Sequence, residues 1–162
     1  MTTLKKITPT FDPWEAYLDV EQHGHMTLSN IEFTTTTLCN MRCAHCAVGY
    51  TLQTKDPDAL PIELITKRLD EIPHLKTLSI TGGEPMMSKK SVQNYVLPLL
   101  KYAHARGVRT QINSNLTLEP ERYLLIAPYL DVLHISHNWG TIDEFVETGF
   151  AMMDNVQLYF NA

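Results

Sequence analysis

Four short runs rich in β-branched residues recur along this chain, and stretches with helical spacing separate them. Ile31–Thr36, Leu75–Thr81, Val108–Asn113 and Asp131–Ser136 read as strands. After the first, Pro61 opens a helix in which Ile62, Ile65, Leu69 and Ile72 share one face. Val92, Tyr95, Val96, Leu99, Leu100 and Ala103 mark a second helix, disturbed by Pro98 and stopped by Gly107. Pro120–Ala127 is a third, ended by Pro128. Thr141-Ile142-Asp143-Glu144 is a capping box that starts a fourth, and Val156–Phe160 reads as a fifth strand. Such alternation implies parallel strands joined by right-handed crossovers. The fold is α/β, either doubly wound or a partial (βα) barrel. In both, chemistry belongs at the C-terminal ends of the strands.

The reactive residues sit at those ends. All three cysteines fall in one window after the first strand, Cys39-Asn40-Met41-Arg42-Cys43-Ala44-His45-Cys46. Gly82-Gly83-Glu84-Pro85 follows the second strand, Ser114-Asn115 the third, and Ser136 closes the fourth. Three clustered thiols, with no fourth, argue against a disulfide framework. Soft thiolates suit iron–sulfur or zinc centres, and a centre with three protein ligands keeps one position open. A zinc site would need a histidine as well, from His45, His23 or His25. A Cys43-x2-Cys46 redox pair would leave Cys39 without a role.

The cysteine spacing after one strand and Gly-Gly-Glu-Pro after the next resemble the radical S-adenosylmethionine (SAM) superfamily over roughly residues 31–140. The resemblance implies a partial barrel of parallel strands with four to five βα units. It implies a 4Fe–4S cluster held by Cys39, Cys43 and Cys46, with SAM on the open iron. It further implies reductive cleavage of SAM to a 5′-deoxyadenosyl radical that abstracts hydrogen from a substrate. His45 takes the position beside the adenine, and Gly82, Gly83, Glu84 and Pro85 the turn that meets the SAM amino group. Ser114-Asn115-Leu116-Thr117 resembles the family's Thr-Asn-Gly-Thr segment, with Leu116 where a positive φ suits glycine. Ser136 takes the place of a serine that contacts the ribose or carboxylate of SAM. A low-potential donor of the flavodoxin or ferredoxin type is the implied partner.

Composition bounds the rest. At 162 residues, 44% hydrophobic and 19% charged, the chain has room for one domain with a core. A net charge of −5 offers no general attraction to nucleic acid or anionic membranes. No apolar run spans a bilayer and no signal peptide is evident, so a cytoplasmic protein is expected. Residues 1–30 read as a leader, with a short helix over Phe11–Val20 carrying Trp14 and Leu18, and 31–162 as the partial barrel. The barrel reads as incomplete at its C-terminus. The chain is therefore expected to be a truncated product, a half completed by a complementary chain, or a fragment, and to be poorly active or inactive alone. His134 within the fourth strand is expected to pack, and His137-Asn138-Trp139-Gly140 either to shape the substrate space or to be a helix-entry loop with a half-buried Trp.

Overall fold

The strand-forming runs pair into a single sheet. In the computed structural model, which describes residues 20–25, 28–55, 60–136 and 156–161, the strands stand in the order β1 (Asn30–Thr34), β2 (Thr77–Thr81), β3 (Arg109–Ser114), β4 (Val132–Ser136) and β5 (Gln157–Asn161). Every neighbouring pair is parallel. Spatial order follows chain order, so each crossover adds its strand on the same side. A doubly wound sheet reverses its strand order partway, and this one does not. It is the partial α/β barrel. Right-handed crossovers taken always in one direction place the helices on one face.

Alternation along the strands makes the two faces different. In β3, Thr110, Ile112 and Ser114 are buried, while Arg109, Gln111 and Asn113 are half-buried. In β1, Ile31 and Phe33 pack on the core, while Glu32 and Thr34 are exposed. Leu78 and Ile80 of β2 are fully buried. The apolar set lies under the helices, where each fully buried aliphatic side chain contributes about 1.5–3 kcal/mol. The other face is polar apart from Val132 of β4.

Helix α1 (Ile62–Asp70) buries Ile65 and Leu69, as the spacing predicts. Helix α2 begins with Lys89–Ser91, capped by the Ser88 hydroxyl, which accepts from the Ser91 N–H at 3.1 Å. It passes through a π-helical segment, Val92–Val96, and continues as Leu97–Ala105. Here the disturbance expected from Pro98 is visible. Proline has no N–H for the carbonyl four residues back and its ring crowds it. The chain widens by one residue just upstream, where the Leu97 N–H reaches the Val92 carbonyl, and the helix goes on. Gly107 ends the element at φ 70°. Helix α3 (Pro120–Leu124) is shorter than the predicted Pro120–Ala127. The Leu124 carbonyl would need the N–H of residue 128, which is proline, so the chain tightens into a 3₁₀ turn at Ala127–Tyr129. The predicted helix from Thr141 lies outside the described residues, as does that over Phe11–Val20 apart from Val20.

Candidate functional site

β1 leads directly into the cysteine window. Thr35 N–H still donates to the Thr81 carbonyl at 3.1 Å. The buried Thr36 then turns the chain, its hydroxyl accepting from the Leu38 N–H at 3.1 Å. The Gly-Gly-Glu-Pro turn is stitched onto this segment. Gly83 N–H donates to the Thr36 carbonyl at 2.9 Å and Glu84 N–H to the Leu38 carbonyl at 2.7 Å. This approach explains the glycines. A Cβ at Gly82 would lie 2.4 Å from the Thr36 carbonyl oxygen, and one at Gly83 only 2.1 Å from that of Leu38.

The cysteine loop itself is held by short-range bonds. Cys46 N–H donates to the Cys43 carbonyl and Gly49 N–H to that of Cys46, each at 3.1 Å. The Arg42 guanidinium donates to the carbonyls of Cys39 and Met41, both at 2.9 Å. All three thiols are free and half-buried. Burial pushes the Cys39 thiol up from its ordinary pKa, countered in part by the Met41 N–H, which donates to its sulfur at 3.4 Å.

Behind the turn lies a buried polar junction. Glu84 is fully buried. Its Oε1 accepts from the Ser114 hydroxyl at 2.9 Å and the Met86 N–H at 3.2 Å. Its Oε2 accepts from the Asn115 N–H at 2.8 Å. Burial pushes the carboxyl up to about 6 against these three donors. The Ser114 hydroxyl also meets Tyr123 Oη at 3.1 Å and accepts from the Leu116 N–H at 3.0 Å. Leu116 has the positive φ, 52°, that its place in the sequence suggests, and its side chain is fully buried. The strain of that backbone is offset by packing.

One cleft of about 340 Å³ gathers the predicted residues. Cys39, Cys43, Cys46 and His45 border it from the loop, and Gly82, Gly83, Ser114, Asn115 and Ser136 from the strand ends. Glu84 and Pro85 do not line it; both are buried behind the turn. The cleft also includes Thr81, Asn113 and Met41, which the sequence reading missed. Period-two alternation could have found Asn113, since it shares the polar face of β3 with Gln111. His23 stacks on His74 with 5.5 Å between ring centroids and does not line the cleft. His134 is half-buried in β4, and burial, then Arg109, pushes its pKa down. His137-Asn138-Trp139 lie outside the described residues.

The donor set fits an iron–sulfur group. Among the described residues, no three His, Cys, Asp or Glu side chains converge on a point that a single ion could occupy. The three cysteines line one cleft together. Soft sulfur donors on one wall and bare glycine backbone on the next leave room for a cluster and an attached ligand. Among the described residues no helix is long and apolar enough to cross a membrane.

Comparison with known proteins shows relatives in sequence and in fold. The chain is 75% identical to YfkA of Bacillus subtilis (strain 168) over 153 residues, 94% of this chain and 41% of that protein. It is 32% identical to the 7-carboxy-7-deazaguanine synthase of Rhodospirillum rubrum over 106 residues, 64% of this chain and 41% of that enzyme. It thus spans about two fifths of the length of these relatives. Its fold resembles BtrN in complex with AdoMet and 2-DOIA, with a TM-score of 0.62 and 16% identity, covering 83% of this chain and 57% of BtrN. It also resembles Streptococcus suis SuiB bound to S-adenosylmethionine, with a TM-score of 0.53 and 19% identity, covering 75% of this chain and 28% of SuiB. The sequence matches the Radical SAM superfamily, whose members bind a 4Fe–4S cluster and SAM, over residues 33–152. That match runs from β1 past the end of β4, and so through every strand end that borders the cleft: the chain belongs to the Radical SAM superfamily.

Proposed function

We propose that Cys39, Cys43 and Cys46 hold the cluster, that SAM binds beside them in the same cleft, and that the chain is a radical SAM enzyme or part of one. The observation that carries this reading is the shared cleft: three thiols, the Gly82-Gly83 turn and the polar ends of β3 and β4 line one space. When bound and reduced, the group supplies the electron that cleaves SAM to methionine and a 5′-deoxyadenosyl radical, which takes a hydrogen atom from the substrate.

The chain's own residues orient and enclose. The Gly82-Gly83 backbone, with no side chain in the way, meets the amino end of SAM. Ser114, Asn115 and Ser136 offer hydrogen bonds to its carboxylate and ribose. His45 lies beside the adenine as a flat ring. Glu84 and Pro85 contribute by holding the turn from behind, since both Glu84 oxygens are already engaged by the β3 exit. A donor of the flavodoxin or ferredoxin type supplies the electron, and the reducing cytoplasm keeps the three thiols reduced. A complementary segment or chain closes the barrel.

The test is anaerobic reconstitution with iron and sulfide, then reduction and electron paramagnetic resonance with and without SAM. The expected result is a four-iron signal that changes shape on adding SAM and is absent in Cys43→Ala. A cluster indifferent to SAM, or zinc without iron and sulfide in the purified chain, would overturn the reading.

A further inference from the structure

Asn40 is an exposed residue of the cysteine loop and does not line the cleft, yet it bonds to a segment 75 residues away. Its Nδ2 donates to Thr117 Oγ1 at 2.7 Å, and its Oδ1 accepts from Asn115 Nδ2 at 2.9 Å. Thr117 Oγ1 in turn donates to Asn115 Oδ1 at 2.6 Å. The three side chains therefore form a closed ring in which each donates once and accepts once. The direction of the ring is set by the backbone. Thr117 N–H, which can only donate, also points at Asn115 Oδ1 at 3.1 Å. That fixes the Asn115 amide, which fixes Asn40, which leaves the Thr117 hydroxyl one way to turn.

We propose that Asn40 is a positioning residue. Through this ring it ties the cysteine loop to the β3 exit, so that seating of the loop and binding of SAM strengthen each other. The proposal rests on the reading of the cleft given above. Asn115 is the member of the ring that borders the cleft; Asn40 and Thr117 act through it. Solvent competes for bonds around an exposed side chain, so no single one is strong, but a closed ring polarises its members in series. Coupling of this kind is reciprocal, so a bound ligand that orders Asn115 also orders the loop.

The test uses the full chain with Asn40→Ala, Thr117→Val and Thr117→Ser. In the reconstituted protein, SAM is titrated against the resonance signal of the reduced cluster. Iron content should stay at the wild-type level. Thr117→Val and Asn40→Ala should each bind SAM about five- to tenfold more weakly. Their combination should be little worse than either, and Thr117→Ser, which keeps the hydroxyl, should restore wild-type affinity. In the metal-free chain, amide hydrogen exchange of both residues 39–43 and residues 115–117 should accelerate in Thr117→Val and not in Thr117→Ser. Wild-type SAM affinity in Thr117→Val and Asn40→Ala would overturn the proposal. If wild-type protein itself ignores SAM, the reading of the cleft fails. The ring is then judged on exchange alone: acceleration in both segments supports it, and acceleration confined to residues 115–117 overturns it.

Discussion

The cysteine loop and the Glu84 junction face each other across the Gly-Gly turn, and they are built by opposite means. The loop has half-buried thiols and is held largely by bonds spanning three residues or fewer. The junction is buried, and two of its bonds join residues 30 and 31 positions apart. A loop with few buried contacts can open around an incoming group, whereas a buried network with every donor satisfied is rigid before any ligand arrives. The pairing teaches that the site separates its tasks: the three thiols stay accessible, and the wall beside them is pre-formed.

Removing the junction should do the most damage to folding. Glu84→Ala strands the N–H groups of Met86 and Asn115 in a buried place and takes one acceptor from the Ser114 hydroxyl. We expect a loss of about 4 kcal/mol by chemical denaturation of the metal-free chain. A loss below 1 kcal/mol would mean that the junction is no more rigid than the loop.

Gly83→Ala attacks the seam between the two regions. The new Cβ would meet the Leu38 carbonyl at 2.1 Å, so the backbone of one side must move. A cost of about 3 kcal/mol is expected from such overpacking, together with loss of iron uptake. Unchanged melting would show that the seam yields.

The pH dependence of stability sharpens the contrast. Glu84 has its carboxyl raised from 4.5 to about 6 in the fold, first by burial. The native state therefore holds this proton over a range in which the unfolded chain has released it. The stabilisation is complete below about 4.5 and is lost as pH rises through about 6, amounting to about 2 kcal/mol. Glu84→Gln should flatten that part of the profile; an identical profile in the variant would assign the titration elsewhere.

The smallest effect on folding is expected in the loop. Cys43→Ala should change the stability of the metal-free chain by no more than about 0.5 kcal/mol, since the thiol is half-exposed. It should nonetheless abolish iron retention, measured as iron per chain. A large loss of stability would erase the distinction between the two regions.

How much of this was legible beforehand varies with the range of the interactions. The strands were, because β-branched alternation is local, and the three thiols were, because they lie within eight residues. The end of α3 was misplaced by three residues, although its cause, a missing N–H at Pro128, was in plain view. The facing of Glu84 was not legible. A carboxylate on a turn reads equally well as a ligand contact or as a strut, and only the position of Asn115 and Ser114 on a separate strand decides between them. Asn40 carried no signal of its own, because its partners lie 75 and 77 residues away.

By itself, then, the order of residues determined which segments become strands and helices, and which atoms have the softness to hold iron and sulfide. Those are properties of short stretches and of side-chain chemistry. The tertiary structure alone decided that the sheet runs in chain order without reversal, that Glu84 turns inward while the thiols face the cleft, and that Asn40 reaches across to β3. Each depends on where parallel strands come to rest beside one another, and no local pattern records that placement.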